Sequence, residues 1–161
     1  MRAIFLSLPL ALGACGAMAA NSETPFTSTE VATFDMPWGM SFLPGSGVKL
    51  TNVALVTEKP GRVWLIDVAT GRKTPVSGAP RVVVSSQGGL LDIVAAPTFA
   101  GDQMVYLTYS EPSAAGGSGL ALARAKLADI ATSPRLEGFT MLLRMSSDWA
   151  LSPSNPPQTT C

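Results

Sequence analysis

Short apolar runs separated by turn-forming residues make up the chain from residue 37 onward. The first three runs are Pro37–Leu43, Val53–Thr57 and Arg62–Asp67. Each has the length of a β-strand, and residues typical of turns follow in Pro44–Gly47 and Lys59–Arg62. Because the runs are short and lack a helical period, the pattern predicts strands.

The second half of the chain repeats this arrangement. Its strand candidates are Gly89–Ala96, Met104–Tyr109, Leu120–Ala125 and Phe139–Leu143. The third candidate is rich in alanine, which favours a helix, but the glycines just before it favour a hairpin turn. We therefore interpret it as a strand. In the first half, Pro80–Val84 is interpreted as a weaker fourth run.

The two halves follow each other at a nearly constant spacing. Phe42–Pro44 and Ala95–Pro97 lie 53 residues apart, and Leu55–Thr57 and Leu107–Tyr109 lie 52 apart. Units of about four strands at a period near 50 predict an all-β fold of antiparallel propeller blades. A small β-sandwich also uses evenly spaced short strands and stays open as an alternative. Trp64 is expected to pack between neighbouring blades.

Composition narrows the function classes. The chain has 161 residues, of which 47% are hydrophobic and 14% charged, so one domain with a core is expected rather than disorder. Its 11 basic and 11 acidic residues balance, and no basic stripe is present. This pattern argues against nucleic acid as a partner.

The first 19 residues have the features of a signal peptide. Arg2 precedes an apolar run, residues 3–12, that is too short to span a membrane, and Ala17–Ala19 forms a cleavage site. An alternative is a lipoprotein signal ending at Ala14, because Leu12–Cys15 resembles a lipobox and would make Cys15 a lipid anchor. Either interpretation predicts an exported, periplasmic protein without a transmembrane span.

Five motifs, in order, resemble the soluble PQQ-dependent sugar dehydrogenases, which include glucose, aldose-sugar and sorbosone dehydrogenases. The resemblance runs from Phe34 to Arg144 and covers the amino-terminal portion of that family. Its motifs are Pro37–Pro44, Leu55–Arg62, Gln87–Asp92, Pro97–Phe99 and Val105–Ser110. It implies about two blades of a six-bladed propeller. It also implies pyrroloquinoline quinone (PQQ) across the central mouth, calcium beneath it and a histidine base.

Gln87 is the residue that carries over from this family. It matches a glutamine that contacts PQQ at the start of the second blade, and Gly88 and Gly89 match the bend that places it. Glycines suit such a bend because no Cβ blocks the close approach of another group. Ala96 departs from the relatives, which often have histidine before the proline.

No catalytic residue and no metal ligand is assigned. The chain has no histidine, so the family's general base is missing, and PQQ and calcium are not expected to bind stably. Asp92, Glu58 and Asp67 are the acidic candidates considered, and nothing in the sequence pairs them. Surface charge is the expected role of Glu58 and Asp67, whereas Asp92 could face the central channel or cap a turn.

The predicted organisation is a flexible lead-in at residues 20–30, a partial propeller at 31–144 and an irregular tail at 145–161. The tail is rich in Ser, Pro and Thr, a composition that cannot continue a blade. The simplest account is a shifted reading frame or early stop near Met145, with Cys161 accidental, and a deliberate disordered tail stays open as an alternative. The expected function is an inactive fragment of an exported sugar dehydrogenase. The alternative is a non-catalytic binding module. Because two blades leave apolar faces open, the isolated chain is expected to be marginally stable or to aggregate.

Overall fold

The structure is a computed structural model that describes residues 26–45, 52–113 and 116–145. The predicted signal peptide, with its lipobox alternative, lies outside the described residues. So does the predicted tail, apart from Met145.

The first half of the chain forms one antiparallel sheet of four strands in chain order. Its strands are β1 (Pro37–Phe42), β2 (Val53–Glu58), β3 (Arg62–Asp67) and β4 (Arg72–Val76). The β2–β3 turn is tight: the N–H of Gly61 donates to the carbonyl of Glu58 at 2.9 Å. The first three strands predicted for this half, which correspond to β1, β2 and β3, are confirmed.

The second half forms a second antiparallel sheet with the same order. Its strands are β5 (Leu90–Ala95), β6 (Met104–Pro112), β7 (Ser118–Ala128) and β8 (Arg135–Arg144). A one-turn helix, α1 (Phe99–Asp102), lies between β5 and β6 and buries Phe99 completely. The prediction of two four-stranded antiparallel blades is confirmed, as is the strand at Leu120–Ala125. No helix within the described ranges is long and apolar enough to cross a membrane.

The fourth strand of the first sheet was predicted in the wrong place. It is β4, Arg72–Val76, whereas Pro80–Val84 is not a strand. β4 is an edge strand with polar residues and Pro75, so it lacks the apolar pattern by which a strand is recognised. Pro80–Val84 instead belongs to the connection into the second sheet, where the N–H of Val83 donates to the carbonyl of Ser110 at 2.9 Å.

The main core lies between the two sheets. Leu55, Val63 and Leu65 from the first sheet belong to one apolar cluster with Leu107 and Leu127 from the second. A smaller cluster lies on the other face of the first sheet, where the segment before β1 covers it. Its members are Ala54, Val56 and Ile66, packed against Ala32, Phe34, Trp64 and Val68. Trp64 thus lies on the face turned away from the second sheet.

The first pair of strands in each sheet contains the same irregularity. Pairing shifts between Pro37 and Met40 in β1, and between Leu90 and Ile93 in β5. In the first sheet the N–H of Gly39 donates to Oγ1 of Thr57 at 2.9 Å. In the second, the N–H of Asp92 donates to Oγ1 of Thr108 at 3.1 Å. A threonine on the neighbouring strand therefore satisfies the N–H that each bulge frees from the ladder.

The buried hydroxyl of Thr57 also joins the two sheets. It donates to the carbonyl of Leu91 in β5 at 2.5 Å, and Thr57 is completely buried. Nearby, the N–H of Ala95 donates to Oγ of Ser41 at 3.2 Å. These bonds hold β1 and β5 side by side, which is how the first strands of neighbouring blades meet at a propeller axis.

The faces turned away from this interface carry exposed apolar side chains. Met40 is 60% and Phe42 59% exposed on the first sheet, and Val94 is 49% exposed on the second. Leu120 and Leu143 are also exposed. Such faces are compatible with the expected tendency to aggregate, which stays a prediction.

We predict that Thr57→Val lowers the free energy of unfolding by about 1–3 kcal/mol, because it leaves the Gly39 N–H and the Leu91 carbonyl without their buried partner. Urea unfolding measures the change. Thr108→Val is the matched control: the Thr108 hydroxyl satisfies the equivalent bulge but, among the described residues, makes no hydrogen bond to the other sheet. A smaller loss is expected there, and equal losses would contradict a special role for the bond between sheets.

Candidate functional site

Gln87 lies in a turn at the end of the sheets where β1 and β5 begin, here called the upper end. The turn is closed by the N–H of Gly88, which donates to the carbonyl of Ser85 at 2.6 Å. Ser86 has φ 47°, which is uncommon for a residue with a side chain. Gln87 is exposed, and its amide makes no hydrogen bond to any residue in the described part of the chain. Its donors and acceptor are therefore available to a ligand.

The glycines after Gln87 let the first sheet approach the turn closely. Gly89 has φ 149°, and a Cβ on it would lie 2.5 Å from the carbonyl oxygen of Lys59. That carbonyl accepts the N–H of Leu90 at 2.9 Å. A Cβ on Gly88 would lie 2.8 Å from Oγ of Ser110. The shape of the bend thus requires both glycines, while the cofactor role of Gln87 stays a prediction.

Two residues beside this turn were not identified from the sequence. The ammonium group of Lys59 donates to the carbonyl of Ser86. It also lies 5.6 Å from the centre of the Trp38 ring, a cation–π contact. Trp38 is 45% exposed. Trp38 and Lys59 were already within the recognised motifs, but only the fold shows that Lys59 contacts the Gln87 turn and that Trp38 contacts Lys59.

The prediction that Glu58 provides surface charge is wrong. Glu58 is 1% exposed, because the segment before β1 folds over it. Its carboxylate accepts the backbone N–H of Asp35 at 2.7 Å and the Nε–H of Arg62. Arg62 in turn donates to the Asp35 carboxylate at 2.6 Å. Residues far apart along the chain create this environment, so the local sequence does not indicate it.

The environment of Glu58 favours its charged form. Burial alone would raise the pKa of the Glu58 carboxyl, but the nearby Trp64 indole N–H, Arg62 and the Asp35 N–H together outweigh it and lower the pKa. The indole group favours the charge by proximity, although its N–H makes no hydrogen bond of normal geometry. Glu58 is therefore a charged anchor for the segment before β1.

The other two acidic candidates are held locally. Oδ1 of Asp67 accepts the N–H groups of Ala69 at 3.0 Å and Thr70 at 3.2 Å, so Asp67 caps the β3–β4 turn. Asp92 is exposed on β5, and its Oδ1 accepts the N–H of Ile93 at 2.8 Å. The fold does not pair either carboxylate with Glu58. Among the described residues, no group of three or more His, Cys, Asp or Glu could hold a metal ion.

Sequence comparison identifies relatives of the chain. The family profile described as Glucose / Sorbosone dehydrogenase matches residues 34–154. The chain is 37% identical over 95 residues to aldose sugar dehydrogenase YliI of Escherichia coli (strain K12). That match covers 59% of this chain and 24% of the relative.

Solved structures of sugar dehydrogenases are also similar to the chain. A glucose dehydrogenase is similar with a TM-score of 0.61 and 36% identity, over 70% of this chain and 31% of the other. The PQQ-bound aldose sugar dehydrogenase of Streptomyces coelicolor is similar with a TM-score of 0.59 and 30% identity. That match covers 71% of this chain and 32% of the other. The chain thus spans roughly a quarter to a third of the length of these relatives.

We predict that Gly89→Ala lowers the free energy of unfolding by at least about 1–3 kcal/mol. The added Cβ meets the Lys59 carbonyl, and its φ is unfavourable for alanine. Thermal and urea unfolding provide the measurement. Gly101→Ala is the control, because a Cβ there has no atom within 4 Å. A neutral Gly89→Ala variant would show that the turn does not need this close approach.

We predict that Glu58→Gln lowers stability by about 1–3 kcal/mol at neutral pH. Because the folded-state pKa is lowered, the stabilisation is present above the pKa of an unfolded glutamate and is lost as the pH falls through the folded-state value. The difference between wild type and variant should therefore shrink on acidification, as measured by urea unfolding at several pH values. Glu137→Gln, which removes a surface pair with Arg135, should change stability by at most about 0.5 kcal/mol. A difference independent of pH would contradict the charged anchor.

Proposed function

The chain belongs to the glucose/sorbosone dehydrogenase family, and we propose that it forms the first two blades of an exported sugar dehydrogenase that uses PQQ. The order of the five motifs supports its position at the start of the propeller. The PQQ-bound relative from Streptomyces coelicolor supports the cofactor. Export is proposed from residues 1–19, and a sugar hydroxyl as the group oxidised follows from the family.

The observation that carries the proposal is the free amide of Gln87 at the upper end of the inner strands. Bound PQQ would supply the electron acceptor for a hydride from the sugar. A flat quinone with carbonyl and carboxylate oxygens needs N–H donors at its edge, and the Gln87 carboxamide offers two. Gly88 and Gly89 let the turn that carries this amide approach its neighbours closely without adding side-chain bulk. These residues fit one edge of the cofactor.

Oxidation of a hydroxyl also requires that its proton be removed, and this step limits what the chain can do. A base with a pKa near neutral suits the step, and histidine is the usual choice. The sequence contains no histidine. The carboxylates of Asp67 and Glu58 are engaged in the turn and the anchor described above, and that of Asp92 accepts the N–H of Ile93. We therefore propose that these two blades contribute a cofactor contact but no proton acceptor. Calcium belongs to the intact family, and no ligand for it is assigned to this chain.

The proposal predicts that PQQ perturbs the NMR signals of the Gln87 side-chain amide and the Gly88 N–H in a ¹⁵N-labelled chain. Gln87→Glu removes both donors and adds a charge that repels the PQQ carboxylates, so PQQ binding should weaken by about tenfold or more. Gln103→Glu is the matched control, because Gln103 follows α1 at the opposite end of β5. With PQQ, calcium and an aldose, the chain should not reduce a dye.

Three outcomes would count against the proposal. Absence of a PQQ-dependent shift at Gln87 would contradict the cofactor contact, and equal weakening by both glutamate variants would show that binding is not specific to it. Dye reduction by the chain alone would contradict the missing proton acceptor. Shifts caused by sugar but not by PQQ would favour the non-catalytic binding module.

A further inference from the structure

Lys59 connects the first sheet to the turn that carries Gln87. Its backbone carbonyl accepts the N–H of Leu90 at 2.9 Å, and its ammonium group donates to the carbonyl of Ser86. One residue therefore contacts the turn on both sides of Gln87. The side chain crosses the space that the missing Cβ of Gly89 leaves open, since Cγ of Lys59 would lie 2.6 Å from such an atom.

The ammonium group of Lys59 also contacts a residue of β1. It lies 5.6 Å from the centre of the Trp38 ring, whose π face attracts a cation. A lysine side chain loses considerable conformational entropy when it is held in one position, and the ring contact offsets part of that loss. The bond to Ser86 is charge-assisted and therefore stronger than one between neutral groups.

The turn needs such support because its backbone is unfavourable. Ser86 has a φ of 47°, in the left-handed region that residues with a Cβ adopt rarely. Strained backbone of this kind persists when surrounding contacts hold it. The Lys59 ammonium group provides such a contact, because it donates a hydrogen bond to the carbonyl of Ser86.

We propose that Lys59, held against Trp38, is a positioning residue that orders the Ser85–Gly89 turn so that the Gln87 amide stays exposed at the upper end of the sheets. Lys59 then sets the affinity for a planar, anionic cofactor through the turn rather than by contact with that cofactor. The cofactor part of this inference rests on the proposed function. The ordering of the turn does not depend on it.

The first sheet offers a matched control. Lys73 donates from Nζ to the carbonyl of Thr33 at 2.6 Å, and it lies 4.2 Å from the Phe34 ring and 4.4 Å from the Trp64 ring. It thus makes the same two kinds of contact as Lys59, with the segment that leads into β1. Lys59→Met and Lys73→Met remove the same charge and the same kind of bond, but only Lys59 touches the Gln87 turn.

The first measurement is hydrogen exchange without PQQ, followed at the Gly88 N–H, whose bond to Ser85 closes the turn. We expect about tenfold faster exchange in Lys59→Met, the effect of losing one charged hydrogen bond, and no change at this site in Lys73→Met. Lys59→Arg retains a charged donor and should restore part of the protection. Equal exchange at Gly88 in wild type and Lys59→Met would overturn the proposal.

The second measurement is the PQQ affinity of the same variants. We expect about tenfold weaker binding for Lys59→Met and unchanged binding for Lys73→Met, in line with the loss of turn order. Weaker binding with normal exchange at Gly88 would mean that the Lys59 charge acts directly on PQQ, which overturns a positioning role. If wild type shows no PQQ binding while exchange still differs, the proposed function fails and the role of Lys59 in the turn stands.

Discussion

The buried hydroxyl of Thr57 lies where the two sheets meet and forms hydrogen bonds with both of them. It accepts the N–H that the bulge in β1 leaves free and donates to the carbonyl of Leu91 in the next sheet. Both partners are backbone groups whose burial without a hydrogen bond would be costly. The same atom therefore completes one sheet and fixes the position of its neighbour. An apolar core alone would hold the sheets together without defining how their inner strands align.

This alignment has a functional consequence at the upper end. Gln87 belongs to the connection into the second sheet, yet the groups that shape its turn, Lys59 and Trp38, belong to the first. The candidate cofactor contact is thus a property of two adjacent blades. A blade with the Gln87 sequence but without lysine at this position of its neighbour would lack the ammonium group that meets Ser86.

The sequence was informative where a pattern is local and repeated. Short apolar runs and glycine turns located seven of the eight strands found in the described residues, and the repeat spacing predicted the blade architecture. β4 was missed because an edge strand with Pro75 has no apolar face to reveal it. The burial of Glu58 and the contacts of Lys59 were missed for another reason. Each depends on a segment more than 20 residues away, Asp35 or Ser86, and no local pattern encodes such a meeting.

Gly39 and Asp92 occupy equivalent positions in the two bulges but leave very different amounts of space. A Cβ on Gly39 would lie 2.5 Å from Oδ1 of Asp92. The close contact between the two sheets at this point therefore requires glycine at position 39. In the second sheet the equivalent position is Asp92 itself, and its carboxylate oxygen lies at this same contact. The two equivalent bulges therefore face each other where the sheets meet, one without a side chain and the other with a carboxylate. A side chain at position 39 would consequently displace Asp92 in the neighbouring blade as well as disturb its own strand.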